Sequence, residues 1–289
     1  MDSESKYLLK KVVIDVLCLC TVGFPILFFY LFGKPFKRGF FCDDESLKHP
    51  FKESTVPSAA LYVVGLFLPI CSMMLIEFIH VRASNGQAAR VFLGRPIHPW
   101  LWNCYKVIGV FGFGVASSHL ITDIVKYSIG RLRPHFFDVC RPLVDCNDAS
   151  NKQLYIEHFQ CNSTNMQLLK EMRLSFPSGH SSFSAFTMVY FAMYLQARMT
   201  WRGSELLRPF VQFVSLLLSI GTAVSRVSDY KHHWSDVLAG FTNGTISAII
   251  TAVFVSDLFA RRNGGLAVAT EIETEPSSQY RDSGNNHII

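Results

Sequence analysis

Six apolar runs of membrane-spanning length dominate the chain. They are Val12 to Phe32, Ala59 to Ile79, about Trp100 to Thr122, Phe183 to Arg198, Phe210 to Ser225 and Val237 to Phe259. A helix needs about 20 predominantly apolar residues to cross the hydrocarbon core of a bilayer. Six such runs in one small domain are not the core of a soluble protein. Lipid offers the backbone no hydrogen-bond partner, so each run must satisfy itself as a helix. The expected fold is therefore an all-α integral membrane protein with six transmembrane helices. Runs four and five are short at their strictly apolar centre and need flanking Ser, Gln or Trp to reach spanning length. Charged residues make up only 17% of the chain, against about 25% in ordinary globular domains. That deficit excludes a disordered chain, a coiled coil and a nucleic-acid binder with a basic face.

The first run is longer than the apolar core of a signal peptide, and Gly33-Lys34-Pro35 follows it instead of a small-x-small cleavage pattern. It is expected to stay as a membrane anchor. An even helix count puts both termini on one side: residues 1–11 as a short cytosolic end, 12–259 as the six-helix body, and 260–289 as a polar, disordered tail. Loops one (33–58), three (123–182) and five (226–236) share the opposite face. Lys and Arg are nearly balanced between the two faces, so the positive-inside rule does not orient the chain. Two other features do. Asn162-Ser163-Thr164 is a glycosylation sequon in the middle of loop three. Of eight cysteines, Cys42, Cys140, Cys146 and Cys161 all lie in loops of that same face, which suits an oxidising compartment. At least one disulfide is expected among them, and full pairing would have to bridge Cys42 to loop three. The expected location is the plasma membrane with this face extracellular, or an internal membrane with it lumenal. A second sequon match, Asn243-Gly244-Thr245, falls inside the last helix and is out of reach of glycosylation.

Three polar segments converge on that face. Lys126 to Pro134 lies where the third helix leaves the membrane, Ser175 to His180 precedes the fourth, and Ser225 to Asp236 links the fifth and sixth. Singly, each has a bland reading: basic residues snorkelling to headgroups, a turn with Ser178 as a helix cap, interfacial aromatics around His232 and His233. Together they fit the handling of a phosphate. If the third helix continues to Arg133, Lys126 and Arg133 share a face and grip one phosphoryl group, with Arg226 adding a bidentate fork. Gly179 lets backbone N–H groups approach the anion at the start of a helix. His180 and His232 supply an acid–base and nucleophilic pair. Asp236, one helical turn after His232, can hold its imidazole in the tautomer that leaves the other nitrogen free. Fixed cations can neutralise the transition-state charge, so no metal and no cofactor is expected.

The arrangement resembles the three-part signature of the type 2 phosphatidic acid phosphatase superfamily. K-x6-R-P is Lys126 to Pro134, P-S-G-H is Pro177 to His180, and S-R-x5-H-x3-D is Ser225 to Asp236. The stretches Lys126 to Phe136, Tyr194 to Met199 and Arg226 to Asp236 are similar to the animal lipid phosphate phosphatases. The resemblance implies a helical core like that of the vanadium haloperoxidases. It also implies a magnesium-independent monoesterase acting in the bilayer on phosphatidate, lysophosphatidate, sphingosine 1-phosphate and ceramide 1-phosphate. By motif position His232 is the nucleophile, Asp236 its orienting partner and His180 the general acid. Lys126, Arg133, Ser178, Gly179 and Arg226 bind the phosphate. The x5 and x3 spacings select His232 over His233, and Arg131 receives no role.

A catalytically silent relative acting as a scaffold would lack one of these residues, and this chain lacks none. A soluble phosphate ester as substrate is disfavoured by the Phe-rich, aliphatic helices. A transporter would carry its charges near the midplane. Oligomeric state, including a homo-oligomer, is left open. Asp123 is read as a structural i,i+3 partner of Lys126, and Asp43-Asp44-Glu45 as a solvated loop with no metal role.

Overall fold

The computed structural model describes residues 3–83, 89–92, 94–199 and 203–259, and the expected tail, 260–289, lies outside them. A helix stands at each apolar run: α1 (Ser3–Phe32), α2 (Ser58–Ala83), α3 (Pro99–Ile129), α4 (Gly179–Arg198), α5 (Leu207–Ser228) and α6 (Trp234–Val255). α2 and α6 each contain a π-helical stretch, Val63–Phe67 and Thr251–Val255. A two-stranded antiparallel hairpin, β1 (Arg90–Phe92) and β2 (Arg95–Ile97), joins α2 to α3. α1 begins at Ser3, so most of the segment expected as a cytosolic end is helical. Its one acid at membrane depth, Asp15, accepts a 2.6 Å hydrogen bond from the Tyr105 hydroxyl of α3. An intramembrane carboxyl needs such a partner.

Five of the six helices are long and apolar enough to cross a membrane, and the fourth is not. The six expected helices are present, and length and composition mark five of them as spans. α4 is the enclosed helix of the bundle, packed against α3, α5 and α6. Its Ser181, Ser182, Ser184 and Thr187 are at most 4% exposed. Hydropathy measures what faces lipid, and this helix faces other helices instead. Its serine hydroxyls find partners within the bundle: Asn243 of α6 donates to Ser182 Oγ at 2.9 Å, and Ser219 of α5 to Ser184 Oγ at 3.4 Å. The contacts of Asn243 also place it inside the bundle, away from any glycosylating enzyme. Gly240 and Gly244 set the α4–α6 approach, because a Cβ at either would run into the carbonyl of Ser178 or Ser182. Small residues one turn apart are the usual device for close helix contact where lipid gives no hydrophobic drive.

Loop one, loop three and the short loop after α5 gather at one end of the bundle. They form a layer with its own apolar core, including Phe40, Leu132, Phe136, Ile156 and Met172. Phe40 pairs with Ile156 in an antiparallel bridge. Of the three full pairings open to the four loop cysteines, the fold takes Cys42–Cys146 and Cys140–Cys161. The first ties loop one to loop three. Mass mapping of unreduced peptides should recover these two pairs. Four free thiols in protein from an oxidising compartment would rule the arrangement out.

Asn162 is exposed on this layer. Glycosidase treatment is expected to shift the mobility of the wild type and not of Asn162→Gln. Tags at both termini that proved extracellular in intact cells would reverse the orientation expected from the sequence.

Candidate active site

The three polar segments meet under the loop layer, with one change of geometry. α3 ends at Ile129 and does not reach Arg133. Gly130 adopts a left-handed φ of 60° and donates its N–H to the Lys126 carbonyl at 3.1 Å, closing the helix. A side chain at Gly130 would collide with the backbone of Phe36, so the position suits glycine on both counts. Lys126 and Arg133 therefore do not share a helix face. Arg133 is brought back by the chain beyond, where its backbone N–H donates to Met172 at 2.8 Å.

Ser178 caps α4, and its Oγ accepts from the Ser181 N–H at 3.4 Å and hydroxyl at 3.1 Å. Its hydroxyl is thus engaged in the cap, the bland reading of that residue. Gly179 and His180 form the first turn, where unpaired N–H groups and the helix dipole favour an anion. A Cβ on Gly179 would lie 2.9 Å from Lys126 Nζ, so the ammonium occupies the space that a side chain would fill. Arg226 is in the last turn of α5, 1% exposed, and pairs with Asp229 at 2.7 Å.

His232 is 3% exposed in the loop between α5 and α6. Its Nδ1 lies 2.7 Å from the Ser175 carbonyl. A carbonyl can only accept, so Nδ1 carries the proton and Nε2 keeps its lone pair. Burial, then the positive charges of Arg133 and Lys126, hold the imidazole well below its ordinary pKa. It is neutral at physiological pH.

The sequence reading gave the task of holding that tautomer to Asp236. In the structure its carboxylate is 3.9 Å from His232 Nδ1, beyond hydrogen-bonding distance. Four other groups occupy it: the Arg131 guanidinium, the Ser175 hydroxyl at 2.6 Å, and the His233 N–H at 3.1 Å and Nδ1 at 3.2 Å. Asp236 thereby fixes the start of α6 and the Ser175 segment whose carbonyl holds His232. Arg131, which received no role from the sequence, is its cationic partner. Asp123 likewise pairs with His119, at 3.5 Å, where Lys126 had been expected.

Among the described residues five buried side-chain polar atoms have no partner, and two of them are Arg133 Nε and His180 Nε2. Burial lowers the Arg133 pKa below its ordinary value, and Arg226 nearby adds to the effect against the opposing pull of Glu171. Lys231, 6% exposed beside His232, is lowered to about 8 by burial and by Arg133 and Arg226. Sequence reasoning passed over this lysine because it fills an unspecified position between Arg226 and His232. A buried group of cations whose charges disfavour one another is relieved by a multiply charged anion, and the unpartnered Arg133 Nε–H offers it a hydrogen bond.

Residues 108–260 match the PAP2 superfamily. A Drosophila melanogaster relative named for phosphatidate phosphatase is 53% identical over 276 residues, 91% of this chain and 73% of that one. Phospholipid phosphatase 1 of Rattus norvegicus is 44% identical over 87% of this chain and 86% of its own. Phospholipid phosphatase 2 of Homo sapiens is 38% identical over 92% and 90%. A Bacillus subtilis transmembrane PAP2 type phosphatidylglycerolphosphate phosphatase superposes with a TM-score of 0.40 at 20% identity, covering 71% of this chain and 77% of that one. The chain is a multi-pass membrane protein and belongs to the PAP2 superfamily.

Proposed function

We propose that this protein is a magnesium-independent lipid phosphate phosphatase that works through a phosphohistidine. The observation that carries the reading is the buried His232, its Nδ1 held by the Ser175 carbonyl and its Nε2 free, with Arg133 and Lys126 near enough to disfavour its charged form. In the first step Nε2 attacks phosphorus and the bond from phosphorus to the lipid oxygen breaks. His180 gives its proton to the departing alkoxide. A bound phosphate dianion favours the protonated form of His180, which prepares it for that task. In the second step His180 takes a proton from water, the water oxygen attacks the phosphohistidine, and inorganic phosphate leaves. Lys126, Arg133 and Arg226, with the backbone at Ser178 and Gly179, stabilise the charge on the transferring group. Asp236 acts through Ser175 and by its nearby negative charge.

Phosphatidate, lysophosphatidate, sphingosine 1-phosphate and ceramide 1-phosphate fit as substrates. Two observations support a lipid. The relatives are named for phosphatidate and phospholipids. An apolar cavity of about 270 Å³, lined by residues including Leu66, Ile70, Phe111 and Val115, extends to His119 and Phe183. Phe183 lies one turn beyond His180 on α4, so an acyl chain in this cavity continues from a phosphate held above it. The loop layer is read as extracellular or lumenal and the termini as cytosolic, with the plasma membrane as the site of action. Assay of the purified chain against these lipids and soluble phosphate esters, with chelator present, tests the reading. Hydrolysis confined to soluble esters would overturn it.

A further inference from the structure

Loop one does more than cap the site. Thr55 lies 174 residues before Asp229 in sequence, yet donates to it twice, from its N–H at 2.8 Å and from its hydroxyl at 2.7 Å. Asp229 also accepts from Arg226 Nη2 at 2.7 Å. Next to Thr55, the Ser54 hydroxyl accepts from Arg226 Nη1 at 3.2 Å. Two consecutive residues of loop one, Ser54 and Thr55, therefore contact Arg226 and Asp229. The carboxylate at the centre is 5% exposed and Arg226 is 1% exposed. Against the cost of its burial, the two Thr55 bonds and then Arg226 hold the Asp229 pKa below its ordinary value. It is a buried, charged acceptor with three strong donors.

An arginine can grip a phosphate from many angles, and only some leave its remaining N–H groups aimed at the anion. Here one side of the guanidinium is taken by Asp229 and Ser225 and another by Ser54. We propose that Asp229 is a positioning residue, locked by Thr55 of loop one, which sets the direction in which Arg226 presents its remaining Nη1–H to the substrate phosphate. The far end of the same loop is anchored to loop three through Cys42–Cys146. Loop one thus acts as a strap stretched between a disulfide and a catalytic-site carboxylate. The inference rests on the reading of Arg226 as a phosphate ligand.

The test is a double-mutant cycle between Asp229 and Arg226, read both by turnover and by binding of inorganic phosphate. Loss of a hydrogen bond to a charged group costs about ten- to a hundredfold, and Asp229→Asn is expected to lower kcat/KM and phosphate affinity by that order. Thr55→Val keeps the N–H and removes the hydroxyl, for a smaller loss of about three- to tenfold. Thr55→Ser keeps both donors and restores the wild-type values. In an Arg226→Ala background, Asp229→Asn should add no further loss, because Asp229 acts through the guanidinium. Disulfide content and elution volume show whether each variant is folded. Should Asp229→Asn not fold, the Thr55→Val and Arg226→Ala pair carries the same cycle. Undiminished phosphate affinity in a folded variant, or an equal loss with and without Arg226, would overturn the proposal and leave Asp229 a structural residue. A wild type that binds phosphate and hydrolyses nothing would instead overturn the phosphatase reading and leave the coupling intact.

Discussion

Replacement of His232 by Ala is expected to abolish turnover on every phosphate ester, while His180→Ala loses far less on an activated aryl phosphate than on phosphatidate. The asymmetry follows from the chemistry. His232 has its Nδ1 fixed on the Ser175 carbonyl, at 2.7 Å, which leaves Nε2 free to attack. Without it no phosphohistidine forms. His180 matters only as far as the leaving group needs a proton, and an aryl oxide leaves without one. Kinetics on a series of esters with leaving groups of graded acidity measures this, since the penalty for His180→Ala should grow as the leaving group becomes more basic. Alkaline quenching and peptide mapping would find the labelled adduct. Label on His233, or full activity in His232→Ala, would refute the assignment. Asp236→Asn should bind phosphate and turn over slowly, with a milder defect than His232→Ala, because the His232 tautomer is held by Ser175 and not by the carboxylate directly.

Activity is expected to persist in chelator and to collapse when a site cation is removed. Substitution of Lys126 or Arg133 by Ala should cost about 10²–10³-fold in kcat, the typical effect of losing one donor to a transition-state oxyanion. Arg133 carries a buried Nε with no protein partner, and Lys126 Nζ rests against Gly179 at the N-terminus of α4. On the proposed mechanism, both meet charge that develops on the phosphoryl oxygens. Arg133→Lys should recover only a small part of the loss, because an ammonium is a point charge and cannot form a fork. Steady-state rates on phosphatidate with and without chelator check both halves. An enzyme abolished by chelator and restored by magnesium would defeat the metal-free mechanism.

The membrane helices were legible because lipid imposes one local rule, internal satisfaction of every backbone group, and runs such as Val12 to Phe32 obey it without reference to the rest of the chain. The same holds for the residue types of the site. Binding and transferring a phosphate requires cations, a nucleophile and an acid, and Lys126, Arg133, His180, Arg226 and His232 are there to be read in order. α4 was the exception among the helices. Its serines and threonines make sense only once α3, α5 and α6 surround it, and no local pattern distinguishes an enclosed polar helix from a short apolar one.

What only the tertiary structure decided is which partner each site residue takes. The i,i+4 spacing of His232 and Asp236 was a correct statement about proximity and an incomplete one about bonding. Arg131, Ser175 and His233 compete for the same carboxylate and arrive there from elsewhere in the chain. Gly130 ends α3 before Arg133 because a left-handed cap stops the helix, and the loop beyond then delivers the arginine by a route that periodicity does not describe. The cysteine pairing and the Thr55–Asp229 latch belong to the same class. Sequence patterns report what the chain does within a few turns of itself. These contacts join segments up to 174 residues apart, and they are selected by the closure of loops over a packed layer, where each donor finds the acceptor that the whole fold leaves within reach.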